Sequence, residues 1–453
     1  MRLTETRREA LYLLGQARTR DAWGTDLLSD ALAGDRYDIQ DSAFITRLVY
    51  GVISAEGTLD EALDRYIARP SRVHPHVRDA LRLAAYEILF MSTPPHVAVH
   101  QGVEAVRIVH PRATGLANAV LRRLAEAAST FPWGDVTTDI GARSRATAHP
   151  GWLVEMLLNE LGLAESRAML DTDNEVAPLY LAHNPFMGSF QHLLDALEAD
   201  GAEPAPEEPA GCVRVRVAAA AVKGEALRTG LCVVADAAAQ FCAAQAAPGP
   251  GATAVELAAG RGTKTLLMQA ASSALGGPGT VISGDLHEFK VAVLLKRMHE
   301  LGVPGVTGVV ADACDEASIS ALGGPFSADV VMVDAPCSGL GTLRRHPEKR
   351  WRVQPHDIES LAQVSEAMLQ TAARLVCAGG FMVYSTCTVT ERENQQVIEG
   401  FLGTARGARF KTAPLRFAPP MDWERFVTPE GWFGSLPVSG GPDGHFVAVL
   451  QAE

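Results

Sequence analysis

The chain has 453 residues, of which 47% are hydrophobic and 21% are charged, and this is the composition of a globular protein too long for one hydrophobic core. We therefore expect two or three domains. The formal net charge of −13 speaks against a protein that coats a polyanion, because nonspecific affinity for nucleic acid comes from cations that neutralise phosphates. Any nucleic-acid partner has to be held by local basic patches.

The cysteine content and the apolar runs restrict the class of protein further. The chain has 7 cysteines, all from Cys212 onward, and no CxxC pair, so neither a disulfide framework nor a zinc site is expected. No apolar run is long enough to span a bilayer, and the first residues lack the apolar core of a signal peptide. We expect a cytoplasmic monomer that binds no metal and no membrane.

Residues 1–128 are predicted to form a bundle of helices. Apolar residues recur at helical spacing, Asp41 and Thr58 are candidate N-caps, and residues 77–91 form one amphipathic pattern. This segment contains many arginines but no lysine. Arginine suits bidentate contacts with phosphate, although the same bias is also typical of a GC-rich genome, and both explanations stay open.

Four stretches of this segment resemble a known RNA-binding domain. LVYGVISAEGTLDEAL, RDALRLAAYEILFM, PPHVAVHQGVEAVR and LANAVLRRL are similar to the NusB-like domain at the start of RsmB-type RNA methyltransferases. The resemblance implies an all-α RNA-binding domain over residues 1–128.

A polar stretch at about 127–147 predicts a linker, and residues 148–235 are predicted to form a small α+β connector domain. Residues 177–181 and 213–217 alternate in polarity as strands do. In RsmB-type enzymes this region helps to grip RNA, and APLYLAHNP is similar to a strand that ends there in Arg-Val-Asn. Ala182 takes the place of that arginine.

From residue 236 to residue 453, apolar strands alternate with helices, which predicts a doubly wound and mostly parallel sheet. The last strand is expected as an antiparallel addition. The strands are predicted at 252–257, 280–284, 306–311, 328–333, 380–385 and 445–450, and the helices at 264–274, 287–301, 356–376 and 390–401.

The first three of these strands end in residues suited to an adenosine. A glycine loop, which is neither a Walker loop nor a full dinucleotide fingerprint, leads into a helix whose free N–H groups can face a ligand. Asp285 can accept both hydroxyls of a ribose, and Asp312 is placed for an adenine amino group. Three such ends favour an adenosine crevice over three unrelated turns. Because no second phosphate-binding feature accompanies them, the candidate cofactor is S-adenosylmethionine. The predicted cofactor-binding residues are Ala258, Ala259, Gly260, Arg261, Gly262, Thr263, Lys264, Asp285, Asp312 and Asp334.

Two cysteines follow the next two strands. Cys337 lies in DAPCSG, where Asp334 ends the fourth strand, and Cys387 lies in YSTCT after the fifth. A lone cysteine is most often a small buried hydrophobic residue. Two thiols at the carboxyl ends of adjacent strands can point into one crevice, and this pairing favours a chemical role.

The cysteine pair resembles the signature of the Sun-type family of RNA cytosine-5 methyltransferases, which use a class I, Rossmann-like domain. The resemblance implies methyl transfer to C5 of a cytosine in RNA, with small-subunit ribosomal RNA as the expected substrate. C5 becomes nucleophilic only after a thiolate adds to C6. By the family pattern Cys387 is that nucleophile, and Asp334 bonds the exocyclic amine and N3. Cys337 assists removal of the C5 proton or release of the enzyme, and Lys264 lies near Asp334, where its charge favours the thiolate.

A basic segment separates the two cysteines. Residues 341–352 read GTLRRHPEKRWR, which is similar to the R-x-HP-x-x-x-W segment of the family. Its side chains suit phosphate contact and base stacking, and a solvated loop is the alternative. The predicted RNA-binding residues are Arg344, Arg345, His346 and Trp351.

The cofactor loop departs from the family pattern Asp-x-Cys-Ala-Ala-Pro-Gly-Gly-Lys-Thr. Ala258 replaces the cysteine, Gly260 an alanine, Arg261 the proline and Thr263 a glycine. The result still resembles the general motif of class I methyltransferases. Two other functions stay open, a transfer-RNA cytosine-5 methyltransferase and an RNA-docking scaffold whose catalytic domain has lapsed. A DNA cytosine-5 methyltransferase is disfavoured, because it would use the Pro-Cys thiol as its nucleophile.

Overall fold

The structure, a computed structural model, describes residues 2–20, 31, 36–91 and 93–453. The chain divides into two compact units. The first comprises Met1–Glu175 and Leu343–Val353, and the second comprises Val176–Thr342 and Gln354–Glu453. The division into three domains at 128–148 and 235–236 therefore stays a prediction.

The described part of the first unit is helical. Its core is formed by apolar residues that recur on one face of each helix, such as Leu48, Val49 and Val52. Helix α8 is interrupted at Gly162, where φ is 77°. Within the described residues of the whole chain, no helix combines the length and the apolarity that crossing a bilayer requires. Among the described residues of Met1–Glu175, the helices are α1 (Glu5–Arg20), α2 (Ile39–Ser54), α3 (Glu56–Asp64), α4 (Pro75–Phe90), α5 (Pro95–Val109), α6 (Thr114–Ala127), α7 (Ile140–Thr147) and α8 (Gly151–Thr172), and the part Leu343–Val353 adds a single helical turn at Lys349–Arg352.

The two predicted N-caps of this unit are wrong. Helix α2 is capped by Asp38, whose side chain accepts a hydrogen bond from the N–H of Asp41 at 2.8 Å. Asp41 therefore lies in the first turn, where its negative charge interacts favourably with the positive end of the helix dipole. Thr58 lies inside α3 and is buried. Both residue types favour caps, but the extended backbone before α2 belongs to Asp38, and α3 begins directly after Ala55, which makes no side-chain capping bond.

The second unit begins with a four-stranded antiparallel sheet of order β2-β3-β1-β4. Strands β1 and β3 were predicted, whereas β2 lies within a Pro/Glu-rich stretch and β4 has only 3 residues. Ala182 lies in β1 and is buried, so this position is used for packing. The elements are β1 (Leu179–His183), α9 (Phe190–Ala199), β2 (Pro204–Glu207), β3 (Cys212–Val215), α10 (Ala218–Lys223), α11 (Glu225–Arg228) and β4 (Cys232–Val234).

The larger sheet of the second unit has the order β10-β12-β9-β8-β5-β6-β7, with β11 paired to β12. Strands β9, β8, β5, β6 and β7 are parallel, and β12 is antiparallel to β9, as predicted. The elements are α12 (Ala237–Ala244), β5 (Thr253–Leu257), α13 (Thr263–Ala271), β6 (Thr280–Asp285), α14 (Glu288–Glu300), β7 (Val306–Val310), β8 (Ala328–Asp334), α15 (Pro355–Leu375), β9 (Val376–Thr386), α16 (Gln395–Leu402), β10 (Phe410–Thr412), β11 (Phe433–Gly434) and β12 (Phe446–Ala452).

Both faces of this sheet are covered by helices, which explains its continuous apolar strands. In β8, Val331 and Val333 pack with α15 and α16, whereas Val330 and Met332 belong to the core cluster on the opposite face. Cross-strand pairs align Leu257 with Val333 and Asp334 with Ser385. The carboxyl ends of β5, β8 and β9 therefore lie side by side.

The basic segment between the cysteines belongs to the first unit from Leu343 onward, and much of it is buried. The guanidinium of Arg350 is fully buried and donates to Ala148 O, Asn174 Oδ1 and Asp173 O at 2.9–3.1 Å. This burial lowers the pKa of Arg350 to about 10. The segment is therefore not the solvated loop that was the alternative interpretation.

Trp351 and its neighbours differ from the expected solvent-facing arrangement. The indole N–H of Trp351 donates to Ser54 O at 2.8 Å. The ring packs so closely on Gly57 that a Cβ there would lie 2.3 Å from it. Arg344 is buried, and Arg345 and His346 are half-buried. Trp351 is thus used for packing on at least one face, and RNA contact by this segment stays a prediction.

Replacing Arg350 with lysine should destabilise the first unit by about 2–4 kcal/mol, because an ammonium cannot satisfy three acceptors arranged around a planar guanidinium. The check is urea-dependent hydrogen exchange, read on peptides of α8. The matched control is Arg352→Lys at an exposed position, which should change stability by less than about 0.5 kcal/mol. Equal protection of α8 in the two variants would contradict the structural role of Arg350.

Candidate active site

The loop after β5 is bent by three residues with positive φ, which are Ala258 (57°), Gly260 (59°) and Gly262 (81°). A Cβ on Gly262 would lie 2.8 Å from Leu294, so this position needs glycine for space as well as for conformation. A Cβ on Gly260 would have none of the described atoms within 4 Å beyond its chain neighbours, so the space beside this residue is open. The backbone of this loop is therefore accessible to a ligand at Gly260.

Asp285 is buried beside this loop and is held in a fixed orientation. One carboxylate oxygen accepts from the N–H of Gly260 at 3.0 Å, and the other accepts from the N–H of His287 at 2.9 Å. Lys290 Nζ lies 3.6 Å from the second oxygen. A carboxylate oxygen can accept more than one hydrogen bond, so Asp285 retains acceptor capacity for a hydroxyl.

Asp312 and Arg261 are both exposed. A third residue, Arg297, supports the loop after β5. Asp312 Oδ1 accepts from the N–H of Cys314 at 2.8 Å, which fixes the carboxylate just beyond β7. The guanidinium of Arg297 donates to Thr263 Oγ1 at 2.8 Å and to Arg261 O at 3.3 Å. This role of Arg297 was not predicted, because an arginine in an amphipathic helix usually faces solvent.

Lys264, in the first turn of α13, forms an ion pair with Asp334 at the end of β8, with 2.7 Å between Nζ and Oδ1. Burial acts to lower the pKa of Lys264. The charge of Asp334 and its hydrogen bond outweigh burial, so the pKa of Lys264 is raised overall. The lysine is therefore a fixed positive charge at the sheet edge, and it also interacts favourably with the sulfur of Cys387.

The two predicted cysteines are in contact. Their sulfurs lie 3.4 Å apart, and the N–H of Cys387 donates to Cys337 Sγ at 3.3 Å. The hydrogen bond with Cys387 and burial raise the pKa of Cys337 well above its ordinary value. Cys337 therefore keeps its proton at neutral pH.

The structure thus brings four of the predicted residues to one edge, where Lys264, Asp334, Cys337 and Cys387 follow three adjacent strands. The predicted RNA-binding residues belong to the first unit. No group of three or more metal-ligating side chains occurs among the described residues.

Sequence comparison assigns this arrangement to a family. Residues 243–451 match the family described as 16S rRNA methyltransferase RsmB/F, and residues 4–126 match the NusB family. The ribosomal RNA small subunit methyltransferase B of Salmonella arizonae is 30% identical over 373 residues, which cover 80% of this chain and 82% of that protein. The chain belongs to the RsmB/F family of methyltransferases.

Two further comparisons extend over almost the whole chain. The "Probable ribosomal RNA small subunit methyltransferase B" of Bacillus subtilis is 28% identical over 463 residues, with 100% of this chain and 99% of that protein covered. The crystal structure of PH0851 matches with a TM-score of 0.78 at 24% identity, covering 98% of this chain and 96% of that one. The predicted NusB-like and Rossmann-like fold is therefore confirmed.

Glu256 and Glu393 are buried carboxylates of this RsmB/F chain that were not among the predicted site residues. Glu393 is 1% exposed and lies just before α16. Glu256, in β5, accepts at one oxygen from the hydroxyls of Thr265 at 2.5 Å and Ser283 at 2.8 Å. The sequence signal for a buried carboxylate is a neighbourhood rich in hydroxyl side chains. For Glu393 that signal is the preceding run STCTVT.

Burial raises the pKa of Glu256 from its ordinary value of 4.5 to about 7, despite the two hydroxyl donors, which lower it. The folded state consequently binds this proton more tightly than the unfolded state does. The stability that this proton contributes is present below about pH 4.5 and is lost as the pH rises through about 7.

Replacing Glu256 with glutamine, which does not titrate, should remove the contribution of this residue to the pH dependence of stability. Between pH 5 and pH 8 the second unit of the wild type should lose about 2 to 3 kcal/mol more than that of Glu256→Gln, because one pKa unit corresponds to about 1.4 kcal/mol. Urea unfolding without ligand at both pH values measures the difference. Glu399→Gln, at an exposed position on α16, should keep the wild-type dependence. A parallel pH dependence in wild type and Glu256→Gln would contradict a raised pKa.

Proposed function

We propose that this protein transfers a methyl group from S-adenosylmethionine to C5 of a cytosine in small-subunit ribosomal RNA, through a covalent bond between Cys387 and C6. The observation that carries the proposal is the contact between the two thiols, 3.4 Å apart at the sheet edge that also holds the Lys264–Asp334 ion pair. The RNA is inferred from the names of the Salmonella and Bacillus relatives.

The glycine loop and the acidic strand ends fit the cofactor. The open space at Gly260 admits a ligand against the backbone, and Asp285 is oriented to accept the ribose hydroxyls. Asp312 is proposed to bond the adenine amino group. The side chain of Arg261 is exposed, so backbone groups rather than a guanidinium line the inner side of the loop. This arrangement suits a cationic sulfonium. When bound, the cofactor supplies an electrophilic methyl group.

The charges around the thiol pair favour attack by Cys387. Its thiolate adds to C6, and the electron pair of the broken C5–C6 π bond becomes available at C5. Asp334 accepts a hydrogen bond from the exocyclic amine and, once N3 has taken a proton from water, a second one from the N3–H group. Lys264 stabilises negative charge at this edge. After methylation the C5 proton leaves, the C5–C6 double bond re-forms and the C6–S bond breaks.

Cys337 is proposed to act in this last step. Because its pKa is raised, the resting group is a thiol that can donate a hydrogen bond to the departing Cys387 sulfur. Once Cys387 is bonded to C6, its negative charge is gone, and the pKa of Cys337 should fall. Cys337 can then lose its own proton to water and, as a thiolate, accept the C5 proton, directly or through a water molecule.

Cys387→Ala should lower methyl transfer by on the order of a thousandfold, because no nucleophile remains to activate C5. Cys337→Ala should instead accumulate a covalent RNA adduct that resists denaturing electrophoresis. Labelled S-adenosylmethionine and a small-subunit rRNA fragment measure both outcomes. Cys377→Ala, a half-buried cysteine early in β9, is the matched control and should behave as wild type. An adduct in Cys387→Ala and none in Cys337→Ala would reverse the assigned roles.

Asp285→Asn should weaken S-adenosylmethionine binding at least tenfold, a change of about 1.4 kcal/mol. The substituted amide presents a donor to a backbone N–H and loses one acceptor for the ribose. Isothermal calorimetry measures the affinity, with Asp195→Asn at a distant exposed position on α9 as the control. If the wild type binds no cofactor, the lapsed scaffold becomes the better proposal.

The RNA target requires a cellular experiment. Bisulfite sequencing of ribosomal and transfer RNA, from cells with and without the gene, should show one cytosine signal that only the intact gene restores. A signal in transfer RNA would redirect the substrate assignment, and a signal restored by Cys387→Ala would exclude the covalent mechanism.

A further inference from the structure

Glu393 binds the two cysteine-bearing turns through an unusually complete set of hydrogen bonds for a buried carboxylate. Its Oε1 accepts from the N–H of Ser338 at 2.6 Å. Its Oε2 accepts from three hydroxyls, those of Ser338 at 2.6 Å, Thr390 at 2.8 Å and Thr388 at 3.2 Å. Both oxygens are therefore engaged, as a buried carboxylate requires.

Two of these partners are the residues that directly follow the cysteines. Ser338 follows Cys337, and Thr388 follows Cys387. The hydroxyls of Ser338 and Thr388 are also 2.8 Å from each other. The residue that follows each thiol is thus hydrogen-bonded to the same carboxylate, although the two thiols are 50 residues apart in sequence.

Glu393 is itself held in place. The hydroxyl of Tyr384 donates to Glu393 O at 2.5 Å. The adjacent Asn394 accepts from Thr386 Oγ1 at 2.6 Å and donates to Thr388 O at 3.0 Å. These bonds anchor the residue to the end of β9, so its carboxylate is a rigid support.

We propose that Glu393 is a positioning residue that holds Cys337 and Cys387 in contact. Its importance for catalysis rests on the proposed function, whereas its effect on the distance between the sulfurs does not. The charge of Glu393 also contributes to the raised pKa of Cys337. The same carboxylate therefore supports the geometry of the thiol pair and adds to the causes that raise the pKa of Cys337.

The distance between the thiols can be tested without RNA or cofactor, by oxidation with hydrogen peroxide. Two thiols lose two electrons and two protons to form one disulfide, and the peroxide is reduced to two waters. Because a disulfide requires an S–S distance of about 2.05 Å, its rate of formation reports how readily the sulfurs approach each other. Peptide mass spectrometry identifies the Cys337–Cys387 product.

Glu393→Gln should form this disulfide at least fivefold more slowly than the wild type, because the amide cannot accept from all four donors. Alkylation of Cys337 by iodoacetamide should become faster, because the negative charge is gone. Glu399→Gln removes the same charge at an exposed site and should match the wild type in both assays. A purely structural role of Glu393 would change the melting temperature, but it would not both slow disulfide formation and accelerate alkylation of Cys337.

Ser338→Ala provides a second, milder test, since it keeps the backbone N–H and removes one hydroxyl. It should slow disulfide formation about twofold, and it decides the question if Glu393→Gln does not fold. Wild-type rates in Ser338→Ala and in any folded Glu393→Gln would overturn the proposal. In methylation assays Glu393→Gln should lower kcat and leave the KM for RNA unchanged. Altered thiol rates in a protein that methylates no RNA would reject the proposed function and retain the positioning role.

Discussion

Parallel pairing of β8 with β5 on one side and β9 on the other is the constraint on which the site depends. It places the ends of three strands at one edge, where Asp334 lies opposite Ser385 and Leu257 lies opposite Val333. The loops that leave these ends carry the ion pair and both thiols. Because the strands are buried on both faces, a shift in register would move apolar side chains as well as the ion pair and the thiols. The core therefore fixes the geometry of the site.

Much of this sheet could be predicted, because its strands are short apolar runs that end in glycine or acidic residues. The failures have separate physical causes. Strand β2 contains two prolines and depends on pairing with β3, which local propensity does not show. The burial of Arg350 depends on acceptors that are about 180 to 200 residues away in the sequence. Composition revealed the charge of that segment, but the acceptors arise only from tertiary structure.

The site shows the same division between local and tertiary information. The contact of Cys337 and Cys387 follows from two adjacent strands, and a sequence with alternating strands and helices implies that adjacency. Glu393 was placed in a predicted helix from 390 to 401, whereas α16 begins at Gln395. Glutamate is normally a surface residue in a helix, so its burial was not expected. Only the convergence of hydroxyls from two turns makes the buried carboxylate favourable.

Glu256 and Glu393, two of the buried carboxylates of the second unit, differ in how they are satisfied. Glu256 accepts two hydroxyls at one oxygen, while among the described residues its Oε1 has no hydrogen-bond partner, so the protonated form is favoured. At Glu393, four donors satisfy both oxygens. The negative charge of Glu393 acts on Cys337, and the positive charge of Lys264 acts on Cys387. Charges of opposite sign therefore act on the two sulfurs, and they polarise the thiol pair in the direction that the proposed mechanism requires.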